Sequence, residues 1–189
     1  MPERRSKAPL VWIDCEMTGL DYANDTILSI ACFVTDYNLN LMDDDGLDLI
    51  IHHDQDTLAQ MGEWCTKQHA ETGLTTAALE STTTAEEAAT ALLEYIKKHV
   101  SEPRVAMLAG NSVHADQAFL RRAPYDAVIQ HLHYRILDVS AIKEAARRWA
   151  DEDVLKNVPM KKSLHDARAD ILESIEEARF YRDSVFRRP

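Results

Sequence analysis

The chain has 189 residues, 46% of them hydrophobic, which suits one domain with a substantial core and leaves no long disordered stretch. Its 21 lysines and arginines stand against 32 aspartates and glutamates, and the net charge of −11 disfavours a protein that grips a long nucleic acid by its phosphates. Three cysteines without metal-ligand spacing (Cys15, Cys32, Cys65) argue against a disulfide framework or a zinc centre, and no apolar run approaches the roughly 20 residues that span a bilayer.

Residues 1–8 read as a flexible tail, 9–183 as a single domain and 184–189 as a C-terminal tail. The tail lacks the apolar stretch of a secretory signal, and its Arg4, Arg5 and Lys7 suit a solvated segment or the remnant of a transit peptide. A soluble, intracellular protein with no membrane partner is expected, in the cytoplasm or the mitochondrion. The first strand, residues 10–16, ends in Asp14-Cys15-Glu16, and residues two apart on a strand point to one face. An Asp-x-Glu triplet arises about once by chance in a chain this acidic, so it carries weight only in context. Met17-Thr18-Gly19-Leu20 follows it, with Gly19 permitting a sharp turn.

Residues 27–35 and 47–53 read as two further strands, parted by the turn-rich Asp43-Asp44-Asp45-Gly46, and the three strands predict an antiparallel meander. Helices are predicted over residues 63–72 and 84–99. Thr84 and Glu87 form a capping box for the second, and Ala88, Leu92, Tyr95 and Ile96 make its apolar stripe. Residues 105–109 form a fourth strand, and Gly110-Asn111-Ser112 leads into a helix that stops by Pro124. A fifth strand covers 133–139, Ser140 caps a helix to residue 150, and a last helix covers 167–180. Strands first and αβα afterwards predict an α/β fold, a mixed five-stranded sheet flanked by helices.

Asp116 falls in the first turn of the helix after the fourth strand, and Asp170 early in the last helix; singly, each reads as a solvated acid or a partner of the helix dipole. His165 precedes Asp170 by five residues, about 140° around a helix, so the two share a site only if His165 lies on the loop before it.

Three long blocks change the weight of these residues. They are Trp12-Ile13-Asp14-Cys15-Glu16-Met17-Thr18-Gly19-Leu20-Asp21, Leu108-Ala109-Gly110-Asn111-Ser112-Val113-His114-Ala115-Asp116 and His131-Leu132-His133-Tyr134-Arg135-Ile136-Leu137-Asp138-Val139-Ser140. In them the chain resembles the oligoribonucleases, DEDDh exonucleases of ribonuclease H-like fold, and the second and third blocks look closer to the eukaryotic members. The resemblance implies a homodimeric 3′-to-5′ exoribonuclease that degrades very short single-stranded RNA, dinucleotides above all, to nucleoside 5′-monophosphates. It makes Asp14, Glu16, Asp116 and Asp170 metal ligands and His165 the general base. Leu20 and Trp64 would stack against bases, Ser112, Arg135 and Ser140 would cap the 5′ side, the neighbouring subunit would supply Tyr134, and His69 would belong to the substrate pocket.

One departure stands in the last block, His165-Asp166-Ala167-Arg168-Ala169-Asp170, where Ala169 replaces the first of two acids usual in the family; Asp166 then reads as a solvated helix-start acid. Oxygen-only ligands suit Mg²⁺ or Mn²⁺, two ions per site, better than zinc. The alternatives are a related exonuclease acting on longer RNA or DNA and a catalytically silent RNA-binding protein. The first would want a basic track, and the second usually lacks one of the five site residues.

Overall fold

Strand β1, Leu10–Met17, is buried on both faces over most of its length. Alternation sends Val11, Ile13 and Cys15 into one core and Leu10 and Trp12 into the other, the pattern of a central strand covered by helices on both sides. In the computed structural model, which describes residues 6–160 and 166–186, β2 (Ile27–Thr35) pairs antiparallel with β1, and β3 (Leu47–Ile50) pairs antiparallel with β2. On the other flank β4 (Met107–Gly110) pairs parallel with β1, and β5 (His133–Asp138) pairs parallel with β4. The order β3-β2-β1-β4-β5 is the mixed five-stranded sheet anticipated above, meander included.

Helices α1 (Gln55–Leu58), α2 (Glu63–Glu71), α3 (Leu74–Glu80) and α4 (Ala85–His99) lie between β3 and β4 in the chain. Then α5 (His114–Leu120) and α6 (Asp126–His131) join β4 to β5, and α7 (Val139–Trp149), α8 (Glu152–Leu155) and α9 (Ala167–Tyr181) follow. One core packs α4, α5 and α6 against the sheet, through residues such as Leu92, Ile96, Phe119 and Val128. The other packs α7 and α9, through Val139, Ala146, Ile171 and Ile175. The capping box of α4 is formed in both directions: Thr84 N donates to Glu87 Oε2 at 2.8 Å, and Glu87 N to Thr84 Oγ1 at 3.2 Å. Ala88, Leu92 and Ile96 are buried, while Tyr95 flanks them and donates to Asp43 Oδ2 at 3.0 Å.

Several boundaries differ from the sequence reading. The third strand stops at Ile50 because His52 N and His53 N turn to Thr83 O and Ala78 O, at 2.8 and 3.1 Å. The fourth begins at Met107. Helix α7 is capped by Asp138, whose side chain accepts from Ser140 N at 2.9 Å, and the cap is therefore not Ser140. Asp166 is exposed and also caps α9, accepting from Ala169 N at 2.7 Å. Residues 184–186, assigned above to a tail, belong to a π-helical turn, Arg182–Phe186, that continues α9 and seats Val185 against the second core. The unanticipated helices α1, α3, α6 and α8 have 4 to 7 residues, too few for an apolar period to repeat.

Candidate active site

The alternation that buries Trp12 toward α9 also carries Asp14 and Glu16 to that face, at the end of β1 where pairing with β2 slips between Glu16 and Met17. Asp170 sits in the first turn of α9, whose Ile171 and Ile175 pack in the same core as Trp12. Carboxylate oxygens of Asp14, Glu16 and Asp170 consequently lie within 4.8 Å of one another. Asp116 is not in that trio but is tied to the same strand: 6% exposed, it accepts from Cys15 N through Oδ1 at 2.9 Å. The strand end is thus bonded to an acid from α5 and approached by an acid from α9. His165 lies outside the described residues.

Crowding shows in the acids themselves. Burial pushes Glu16 up to about 7, and Asp170, Asp116 and Asp166 each push it further in that direction. Asp116 is likewise pushed up to about 7 by burial, although the Cys15 amide pulls the other way. Oxygen donors alone, gathered at less than 5 Å, with Glu16 among them made costly to ionise by its burial, fit a hard divalent cation of the Mg²⁺ or Mn²⁺ kind. Asp14, Glu16 and Asp170 would hold it, with Asp116 beside them.

A pH dependence follows. A raised carboxyl binds more protons in the folded than in the unfolded chain, so between the ordinary range near 4.5 and about 7 the metal-free protein loses stability as pH rises. Cation binding needs the same groups ionised and should tighten over that window. In a chelator, the melting temperature should fall from pH 5 to pH 8, and less so in Glu16→Gln, which cannot ionise. Identical pH slopes in the two proteins would contradict the crowding.

Around this centre the remaining candidates stand on braced elements. Leu20 is 80% exposed on a loop built over Asp25, whose Oδ1 accepts from Thr18 Oγ1 at 2.8 Å and whose Oδ2 accepts from Asp21 N at 2.9 Å. A Cβ on Gly19 would stand 2.3 Å from Asp25 Oδ2, so a larger residue there would displace the carboxylate that holds the loop. Arg122 donates to the carbonyls of Tyr22 and Asp25 and ties the loop to the end of α5. Trp64 is 62% exposed in the first turn of α2, and α2 is pinned to β1 where the His69 Nε2–H donates to Met17 O at 2.9 Å. His69 itself is 1% exposed; the structure places it behind the surface as a brace rather than at the surface of a pocket. A cleft of about 330 Å³ adjoins Glu16 and is lined also by Ser29, Asp48, Ile50, Gly73 and Asp166.

Two residues of the anticipated cap, Ser112 and Ser140, meet just past the ends of β4 and β5. Asp138 Oδ1 accepts from Ser112 N at 3.0 Å and from Ser140 N at 2.9 Å, clamping the two turns together, and Ser112 Oγ donates to Ser140 Oγ at 3.1 Å. Ser112 has φ of 52°, a left-handed conformation that this clamp sustains. Arg135 lies 4.9 Å over the ring of Tyr134, and both are exposed on β5, an edge of the sheet. The sequence reading missed Asp138, Asp25, Arg122 and Asn111. Only Asp138 had a visible signal, an acid immediately before a helix.

The RNase T family model, described as exonuclease, matches residues 11–178. The oligoribonuclease of Mycobacterium avium is 47% identical over 95% of this chain and 82% of its own length. The mitochondrial oligoribonucleases of Mus musculus and Homo sapiens are 44% and 42% identical, each over 95% of this chain and 74% of its own. Bacterial and eukaryotic relatives therefore stand at comparable overall identity. Among solved structures, exonuclease I with bound product superposes with a TM-score of 0.68 at 18% identity, over 95% of this chain and 44% of that one. The exonuclease I of E. coli with a 5cy-dT13 oligonucleotide gives 0.68 at 17%, over 95% and 42%. This chain spans less than half of either, and at such identities the likeness is one of fold.

Proposed function

The chain belongs to the RNase T exonuclease family and, within it, to the oligoribonucleases; from that membership we propose that this 3′-to-5′ exoribonuclease acts on the shortest RNAs, dinucleotides above all, as a homodimer carrying two divalent ions per site. The observation that carries the reading is the convergence of Asp14, Glu16 and Asp170 within 4.8 Å, with Asp116 hydrogen-bonded to the strand residue between the first two.

In this reading Mg²⁺ or Mn²⁺, when bound, supplies a nucleophilic hydroxide at neutral pH and neutralises charge at the scissile phosphate. Asp14, Glu16, Asp116 and Asp170 would hold the ions. His165 takes the proton of the attacking water and must be neutral to do so. Leu20 and Trp64, exposed on braced elements, offer apolar faces to two bases. Ser112, Arg135 and Ser140 close over the 5′ phosphate, and Tyr134 on the edge strand reaches the partner's site. His69 serves the pocket by fixing α2 against the end of β1.

The net charge of −11 supports a short substrate, since few phosphates are engaged and none beyond the cap needs a basic track. The human and mouse relatives are named mitochondrial, and no described helix is long and apolar enough to cross a membrane. We assign the protein to an intracellular compartment, cytoplasmic or mitochondrial. The test is a time course on 5′-labelled short RNA with and without Mg²⁺. Stepwise shortening from the 3′ end with release of nucleoside 5′-monophosphates, abolished by chelation, is expected; intact RNA under saturating Mg²⁺ would favour the silent RNA-binding alternative.

A further inference from the structure

Asn111, which follows the last residue of β4, touches both halves of the site. Its Nδ2 donates to Ser174 Oγ at 2.7 Å and to Glu177 Oε2 at 3.3 Å, both on α9. Glu177 is 1% exposed, and its other oxygen receives Tyr181 Oη at 3.3 Å and Lys143 Nζ at 3.4 Å. An ionised carboxylate accepts and cannot donate, so it sets which way the amide points: NH₂ toward α9, Oδ1 toward α7.

That choice passes outward. Ser140 Oγ donates to Asn111 Oδ1 at 3.0 Å, so its one proton is committed and it faces Ser112 with lone pairs. Ser112 Oγ donates to Ser140 Oγ at 3.1 Å. In the chain Ser112 to Ser140 to Asn111, turning the outermost proton to a new acceptor gives up only the exposed Ser112–Ser140 bond, whereas turning the Ser140 proton would leave the part-buried Asn111 Oδ1 without that donor. Inward, Ser174 Oγ donates to the carbonyl of Asp170 at 2.7 Å, so the same amide reaches the residue that carries a candidate metal ligand.

We propose that Asn111 is a positioning residue for the 5′ phosphate of short RNA: oriented by buried Glu177, it sets the direction of the hydroxyl chain so that Ser112, and not Ser140, donates to the phosphate. This rests on the reading of Ser112, Arg135 and Ser140 as a 5′ cap. A phosphate presents only acceptors, and in a chain whose protons all point inward the exposed Ser112 hydroxyl is the donor that can turn to it at the least cost. Lost direction should therefore be felt by a phosphorylated 5′ end and not by a free hydroxyl.

The experiment measures kcat and KM with Mg²⁺ on one dinucleotide in two forms, 5′-phosphate and 5′-hydroxyl. Wild type should prefer the phosphorylated form. Asn111→Ala should raise its KM by about 10-fold, the size of one hydrogen bond to a charged group, while kcat and the constants for the 5′-hydroxyl form stay within about 2-fold. Ser112→Ala should lose more of the preference than Ser140→Ala. Glu177→Gln, nearly isosteric and able to present either end of its amide, should show the same selectivity more weakly, and it serves if Asn111→Ala does not fold. A wild type indifferent to the 5′ phosphate would remove the cap reading and this proposal with it. A preferring wild type whose Asn111→Ala and Glu177→Gln variants keep the preference, or lose activity on both forms alike, would overturn the positioning role alone.

Discussion

Asp14→Ala and Asp170→Ala should each abolish nucleotide release while leaving the fold intact. Each removes one member of the trio whose oxygens lie within 4.8 Å, and without it the remaining acids cannot complete an oxygen shell for a hard cation. Stability should move the other way. Burial raises Glu16 in the metal-free protein and the Asp170 charge raises it further, so losing Asp170 relieves that repulsion and the melting temperature of Asp170→Ala in chelator should hold or rise. Circular dichroism, thermal unfolding in chelator and a mononucleotide-release assay test both halves together. Near wild-type turnover in either variant would contradict the ligand assignment, and a lowered melting temperature in Asp170→Ala would contradict the crowding.

His165→Ala should lower kcat by about 10²- to 10⁴-fold, the usual cost of a missing general base. Cation affinity should be little changed, because histidine is not assigned to the oxygen shell. The rising limb of the pH profile discriminates further. A base that works neutral gives activity climbing through its titration, from an unperturbed pKa of about 6.5, and the variant should lose that limb. Glu16 and Asp116 also titrate upward of their ordinary range, to about 7 in the metal-free protein, so the profiles must be taken at saturating Mg²⁺. A variant retaining the same limb would move the general base to another group.

How much of this was legible beforehand depended on the length over which a signal repeats. β2, nine residues buried throughout, and α4, with its capping box and apolar stripe, were readable end to end because periodicity and termini agreed. The four-residue helices α1 and α8 complete barely one turn, and no pattern could mark them. Asp14 and Glu16 shared a face by strand geometry alone. Asp116 and Asp170 looked like ordinary helix-start acids, and only the resemblance gathered them; the fold does so by packing α5 and α9 on the two sides of β1. The network beneath the cap was invisible because Asn111, Asp138, Ser174 and Glu177 meet across up to 66 residues of sequence, joined by hydrogen bonds that leave no period. His69 shows the converse: a residue assigned to the pocket by resemblance is buried against a backbone carbonyl, where it holds α2 in place.

A capped pocket for the shortest RNAs is tested by initial rate against length, from about 2 to about 7 nucleotides, at limiting enzyme with Mg²⁺. The rate should be highest for the 2-mer and fall with each added nucleotide, which must displace the cap or leave past an acidic surface, and binding should depend only shallowly on salt because few phosphates are engaged. Equal rates on 2-mers and 7-mers with a steep salt dependence would contradict the capped pocket and assign the protein instead to exonucleases of longer RNA or DNA.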